Sequence, residues 1–228
     1  MRAVIKIGGS LLYDDTGQLI VDRVREYARE LSTLHRNGHQ LVVVVGGGRP
    51  ARSFISAARQ LGASEVQADW LGIKIARHNA ELLMSALPDD AYPRAVETLE
   101  ELEIAVCTGR VVLMGGLTPG QSTNAVAALA AEAIRADWLL NATNVEGVFD
   151  RDPSEPGARK LDQVSIVELQ GILSGSGTRA GEYKLFDPVA ISIVARSRIP
   201  TVILDGRTPK NIVRVLSGEK VGSVIVHG

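Results

Sequence analysis

Residues 41–52 read LVVVVGGGRPAR. Leu41–Val45 is an unbroken run of leucine and valine, the pattern of a strand covered on both faces. Gly46, Gly47 and Gly48 follow, and a helical pattern begins at Pro50. Successive glycines carry an entropic cost that an ordinary turn avoids, and in return they admit very close approach to the backbone. Strand, glycine turn and helix in that order suit an anion, because the N–H groups at a helix start have no internal partner. Arg52, one turn into the helix, is placed to fork onto phosphate oxygens, with Arg49 as the competitor for that role.

The same grammar recurs upstream. Ala3–Ile7 predicts a first strand, and it runs into Gly8-Gly9-Ser10. Lys6 lies inside that strand, where an ammonium needs a partner. Bridging phosphates would supply one; the plain alternative is a lysine snorkelling from an edge strand. Gly8, Gly9 and Ser10 would offer N–H groups and a hydroxyl to the same anion.

Further along, apolar runs alternate with helix-period segments. Helices are expected over 20–36, 50–61, 70–86, 94–107, 123–135, 165–173, 187–197 and 208–217, and strands at Val111–Met114, Trp138–Ala142, Thr201–Leu204 and Ser223–Val226. Residues 145–162 read as a polar loop and 174–181 as a flexible Gly/Ser stretch. The alternation predicts an α/β fold with a mainly parallel sheet and helices on both faces. No linker or composition shift divides the chain, so a single domain over 1–228 is expected.

Composition narrows the function. A net charge of −1 over 228 residues gives no global pull toward nucleic acid or acidic membranes, and 4% aromatics argues against base-stacking platforms. Cys107 is the single cysteine, which excludes an intrachain disulfide and points to a reducing, cytoplasmic setting. No apolar run is long enough for a membrane span. There is no GxxxxGK[ST] and no GxGxxG after a strand, His35, His39, His78 and His227 lack metal-ligand spacing, and no serine sits in a nucleophile elbow.

In an open α/β sheet, ligands bind beyond the carboxyl ends of the strands. Gly8–Ser10, Gly46–Arg52, Gly115–Thr123 and Thr143–Asp152 all fall there. Gly115–Thr123 (GGLTPGQST) has the composition to hold a base edge, with a phosphate at the following helix start. Thr143, Asn144, Phe149 and Asp152 could clasp a second nucleotide, although Asp152-Pro153 reads equally as a turn. Asp69 reads either as the N-cap of helix 70–86 or as a carboxylate for ribose hydroxyls.

Several stretches together resemble the amino acid kinase superfamily, and within it the archaeal-type uridylate (UMP) kinases: KIGGSLL (6–12), VVVGGGRPAR (43–52), ADWLGIKIARHNAELL (68–83), MGGLTPGQSTNAVAALAAE (114–132), ATNVEGVFDRDP (142–153) and AGEYKLFDPVAISIVARS (180–197). The resemblance implies a three-layer α/β/α sandwich, with an acceptor-binding part over roughly 1–135 and an ATP-binding part over roughly 136–228. It implies reversible transfer of the ATP γ-phosphate to UMP in pyrimidine nucleotide biosynthesis, with Mg²⁺ accompanying ATP, in a homohexamer built as a trimer of dimers. Lys6, Gly8, Gly9, Ser10, Gly48, Arg52, Thr143, Asn144, Phe149 and Asp152 would bind ATP. Gly47, Asp69, Leu117, Thr118, Pro119, Gly120, Gln121, Ser122 and Thr123 would bind UMP. Lys6, Arg52 and Asp187 would serve catalysis, Asp187 by helping to organise Mg²⁺; no direct metal ligand is assigned. One departure is Asn124, where many relatives carry Asp after a Thr-Thr pair; Asn keeps the hydrogen bonding and removes a charge.

The acceptor, a phosphate monoester, is largely dianionic at pH 7 and needs no general base. The task is electrostatic, and the cations and glycine amides would offset repulsion between two polyanions. Isopentenyl phosphate kinases carry a histidine shortly after the glycine turn, which residues 49–56 lack. Acetylglutamate and aspartate kinases lack the ADWLG…GQST combination. A cofactor-precursor kinase and a non-catalytic, nucleotide-loaded storage oligomer are the remaining alternatives.

Overall fold

The computed structural model describes residues 1–153, 155–175 and 186–227. Its main sheet has seven strands: β1 (Arg2–Ile7), β2 (Gln40–Val45), β3 (Val112–Met114), β4 (Trp138–Thr143), β7 (Gln163–Ser165), β8 (Thr201–Asp205) and β9 (Ser223–Val226), in the order β3-β2-β1-β4-β8-β9-β7. All neighbours pair in parallel except β8 and β9. Two short strands, β5 (Val148–Phe149) and β6 (Lys160–Leu161), form a separate antiparallel hairpin.

Both faces of the sheet are covered. Val42 and Val44 of β2 join Val4 and Leu139 in a core with α4 (Leu99–Val106), α5 (Thr123–Ala133) and α7 (Pro188–Ser197). Leu41, Val43 and Val45 face the other way, against α1 (Val21–Arg36), α3 (Glu65–Ser85) and α8 (Lys210–Leu216). Leu41–Val45 is fully buried on both sides, which is why its sequence shows no alternation. The layers are helix, sheet, helix. α2 (Gly48–Gln60) packs on α3, and α6 (Ile166–Gly175) lies beside α7.

The expected strands and helices all appear, while β5, β6 and β7 were not expected and several boundaries move for physical reasons. α3 begins at Glu65 rather than at 70, because Ser64 and Gln67 form a reciprocal capping box. Asp69 is therefore not an N-cap. α4 begins only at Leu99, capped by the Thr98 hydroxyl, while Ala91 and Val96 form isolated bridges to Val111 and Met114. The polar loop 145–162 contains the β5–β6 hairpin. Ser174 and Gly175 close α6, and residues 176–181 of the Gly/Ser stretch lie outside the described residues. Among the described residues, no helix is long and apolar enough to cross a membrane.

α5 and α7 are fastened at both ends. Arg196 makes a bidentate pair with Glu132, at 3.0 and 2.6 Å, toward their C-termini, and Ser122 meets Asp187 at their N-termini.

Candidate active site

Strand order reverses between β1 and β4: β2 and β3 lie to one side of β1, and β4, β8 and β9 to the other. The carboxyl ends of β1 and β4 thus bound the crevice where open α/β sheets take ligands. Lys6 points from β1 to the same face as Val4, toward α5. Its ammonium has no hydrogen bond or ion pair among the described residues. Burial without a compensating charge pulls its pKa down from 10.5 to about 8.

The two glycine turns stack directly on each other. A methyl group at Gly9 would fall 2.2 Å from the Gly48 nitrogen and 2.3 Å from the Gly46 oxygen. Gly48 has φ +67, the left-handed region that glycine occupies without strain, and a methyl group there would lie 2.6 Å from the Gly9 oxygen. The glycines are thus required by close backbone approach. The Gly8 N–H is not available to a ligand, since it donates to the Ala142 carbonyl at 2.9 Å and joins β1 to β4. The Gly46 N–H likewise donates to Ile7 at 2.9 Å. Gly9 and Ser10 lead a short 3-10 turn, Gly9–Leu12, while Gly47 caps and Gly48 leads α2. As leading amides these have no intrahelical acceptor. Thr123, at the start of α5, brings its hydroxyl oxygen 3.4 Å from a methyl position on Gly46.

Arg49 and Arg52 separate clearly. Arg49 donates to the Asp15 carbonyl and pairs with its carboxylate at 3.3 Å, holding the 14–17 loop on α2. Arg52 is exposed and has no hydrogen bond or ion pair among the described residues.

The 115–123 loop lies flat on α3. Methyl groups at Gly115 and Gly116 would strike the Arg77 nitrogen at 2.5 Å and Ile73 at 2.9 Å. Asp69 accepts from the Gly120 N–H at 2.8 Å, so it holds the loop through one oxygen. Leu117 is buried, Pro119 half-buried and Thr118 exposed. The Gln121 Oε1 atom is buried with no hydrogen-bond partner among the described residues, a costly state that a ligand donor would relieve. Ser122 caps α5, accepting from the Asn124 and Ala125 amides at 3.1 and 3.0 Å, and donates to Asp187. Asp187 caps α7, accepting from Val189 and Ala190 at 3.0 and 3.1 Å. Two positive helix ends therefore converge on this pair.

Beyond β4, the Thr143 carbonyl accepts from the Gly206 N–H at 2.7 Å, and Asn144 is exposed beside it. Phe149 is half-buried and packs against the core under α5 and α7. Asp152 is half-buried, its carbonyl accepting from the Glu155 N–H at 2.9 Å.

Sequence reasoning missed two residues of α3. Arg77 donates to the Gly116 and Leu117 carbonyls at 3.0 and 3.3 Å, pairs with Glu97, and lies 6.0 Å from the Trp70 ring. Asn79 donates to the Gly46 carbonyl at 2.8 Å. Their only signal was a polar group within an otherwise amphipathic helix, and spacing does not reveal which loop such a group reaches.

The amino acid kinase family model matches residues 1–205. A uridylate kinase of Methanothermobacter thermautotrophicus is 45% identical over 227 residues, covering 99% of each chain. One from Archaeoglobus fulgidus is 43% identical over 99% of this chain and 100% of its own. A crystal structure of uridylate kinase from Archaeoglobus fulgidus superimposes with a TM-score of 0.87 at 41% identity, covering 99% of this chain and 100% of the other. UMP kinase from Bacillus anthracis, at 22% identity and a TM-score of 0.83, shares the fold. By its glycine turns, its layered sheet and these matches along its length, the chain belongs to the amino acid kinase family.

Proposed function

We propose that this protein is a UMP kinase that transfers the γ-phosphate of ATP to UMP, reversibly, in pyrimidine nucleotide biosynthesis. The observation that carries this reading is the meeting of Lys6, two stacked glycine turns and the start of α5 at the reversal of strand order. The full-length likeness to uridylate kinases selects UMP among possible acceptors.

In this reading the part before about residue 135 holds UMP and the remainder holds ATP. Asp69 and the 117–123 loop seat the acceptor, with Gly47 at its phosphate. The free oxygen of Asp69 takes a ribose hydroxyl while its other oxygen keeps the Gly120 N–H. Gln121 Oε1 accepts from an N–H donor of the base, of the kind uracil carries at N3. Thr143, Asn144, Phe149 and Asp152 line the ATP side, with Gly8 steering the chain there. Gly9, Ser10 and Gly48 direct amides at the phosphates. Lys6 and Arg52 offset charge on the transferred group as it passes in line. No step needs a protein base, because the acceptor oxygen is already anionic.

Mg²⁺ accompanying ATP would supply positive charge that offsets the repulsion between the two polyanions. Among the described residues no three His, Cys, Asp or Glu side chains cluster to hold a metal. Asp187 is an oxygen donor of the type Mg²⁺ takes, but its carboxylate already accepts from Ser122, Val189 and Ala190. It therefore fits a hydrated ion that is held mainly by the phosphates.

A cytoplasmic homohexamer, a trimer of dimers, completes the proposal. Phe54, Leu61, Val66 and Trp70 are large, apolar and exposed along the α2–α3 pair, which favours self-association there. Sedimentation equilibrium tests the assembly; a monomer at micromolar concentration would remove it.

An ADP-release assay across UMP, CMP, dUMP, isopentenyl phosphate and acetylglutamate tests the function. Preference for UMP is expected. Tight ATP binding without turnover of any acceptor would favour a storage or regulatory oligomer instead.

A further inference from the structure

Asn79 is 3% exposed and lies on the buried stripe of α3 with Ala76, Ala80 and Leu83. An amide there costs stability unless both of its ends find partners. Both do: Nδ2 donates to the Gly46 carbonyl at 2.8 Å, and Oδ1 accepts from the Tyr13 hydroxyl at 2.6 Å. The carbonyl can only accept, so the amide orientation is fixed. Tyr13 directly follows the 3-10 turn that carries Gly9 and Ser10, and Gly46 heads the second glycine turn. One buried side chain thus fastens both anion-binding turns, whose backbones already touch at Gly9 and Gly48.

We propose that Asn79 is a positioning residue that sets the spacing of the two glycine turns, and with it the in-line approach of the donor and acceptor phosphoryl groups. The inference rests on the kinase reading. Pinning the Gly46 carbonyl toward α3 fixes the plane of the following peptide, and so the direction of the Gly47 N–H. A displacement of that turn by about 1 Å would misalign the reacting atoms while leaving each nucleotide its own pocket, and misplacement on that scale costs about 10²-fold in rate. A side chain that merely filled space would have no such effect on a folded enzyme.

Asn79→Asp keeps the shape and loses the donor to Gly46. Tyr13→Phe keeps the Asn79–Gly46 bond and removes the second anchor. Steady-state kinetics with ATP and UMP, run well below each variant's measured Tm, are expected to show kcat falling about 10²-fold in Asn79→Asp. In Tyr13→Phe the expected fall is about fivefold, the worth of one neutral hydrogen bond. KM for both nucleotides should stay within about threefold of wild type, as loss of an interaction felt only in the transition state requires. If Asn79→Asp does not fold, Tyr13→Phe decides. Unchanged kcat in the folded variants, or losses confined to KM, would overturn the inference alone. A wild-type protein that does not turn over UMP would overturn the kinase reading as well.

Discussion

The Ser122 hydroxyl donates to the Asp187 carboxylate, and each of these residues caps a different helix. Ser122 ends the loop proposed for UMP, and Asp187 opens a helix of the half proposed for ATP. Loss of either cap costs about 1 kcal/mol. Because the caps also bind each other, the two losses should not add. Ser122→Ala, Asp187→Ala and the double variant, compared by urea unfolding, are expected to show a coupling of at least about 0.5 kcal/mol. Additive losses would mean the link contributes nothing.

Lys6 makes stability depend on pH in a definite direction. Its pKa is about 8 when folded and 10.5 as an ordinary lysine. Between those values the unfolded chain binds more protons, so the Lys6 contribution makes stability rise with pH across that window. Below about pH 8 the cost of the buried ammonium is present in full. Lys6→Met should therefore stabilise the nucleotide-free protein more at pH 7 than at pH 10, while lowering kcat at least ~10²-fold. Equal stabilisation at both pH values would argue against an uncompensated buried charge.

The two arginines of α2 divide the work. Arg49 is engaged by Asp15, and Arg52 has no hydrogen bond or ion pair among the described residues. Arg52→Ala is expected to lower kcat/KM by about 10²-fold, the scale for one positioned group stabilising developing charge. Arg49→Ala should change it by less than about fivefold, since an exposed ion pair contributes little. A larger effect from Arg49 would reverse the assignment.

Gly9 has no room for a side chain. Gly9→Ala places a methyl group 2.2 Å from backbone nitrogen, so the turns must separate. Gly109→Ala is a matched control: φ is +72, but nothing lies within 4 Å of the added carbon. Both should lose stability, the control by about 1 kcal/mol through φ alone. Only Gly9→Ala should abolish turnover, as read by ADP release on folded protein.

The fold was legible because its signals are local. Leu41–Val45 needs no partner to announce a doubly covered strand, and a glycine run after it announces a turn. The true start of α3 was also written in the sequence, as Ser64 and Gln67 at capping-box spacing, but the apolar pattern beginning at Trp70 masked it. Pattern alone left Asp69 open between an N-cap and a ribose ligand, and its bond to Gly120 spans 51 positions and follows only from how the loop folds back. Arg77 and Asn79 were missed for the same reason. A polar residue on a buried stripe is a conflict between levels, and such conflicts point to residues doing something other than packing. At Asn79 that conflict could have been read directly.

The clamp between α5 and α7 at both ends has a consequence for how a reaction cycle can proceed. Among the described residues the main sheet is continuous across the two proposed halves and α5 and α7 are joined at both ends, so those joints would have to give before the halves could move apart. If those joints hold through the cycle, nucleotides pass the loops instead, as through shutters in a fixed frame, and variants that alter product release should then map to residues 117–121 and 143–152.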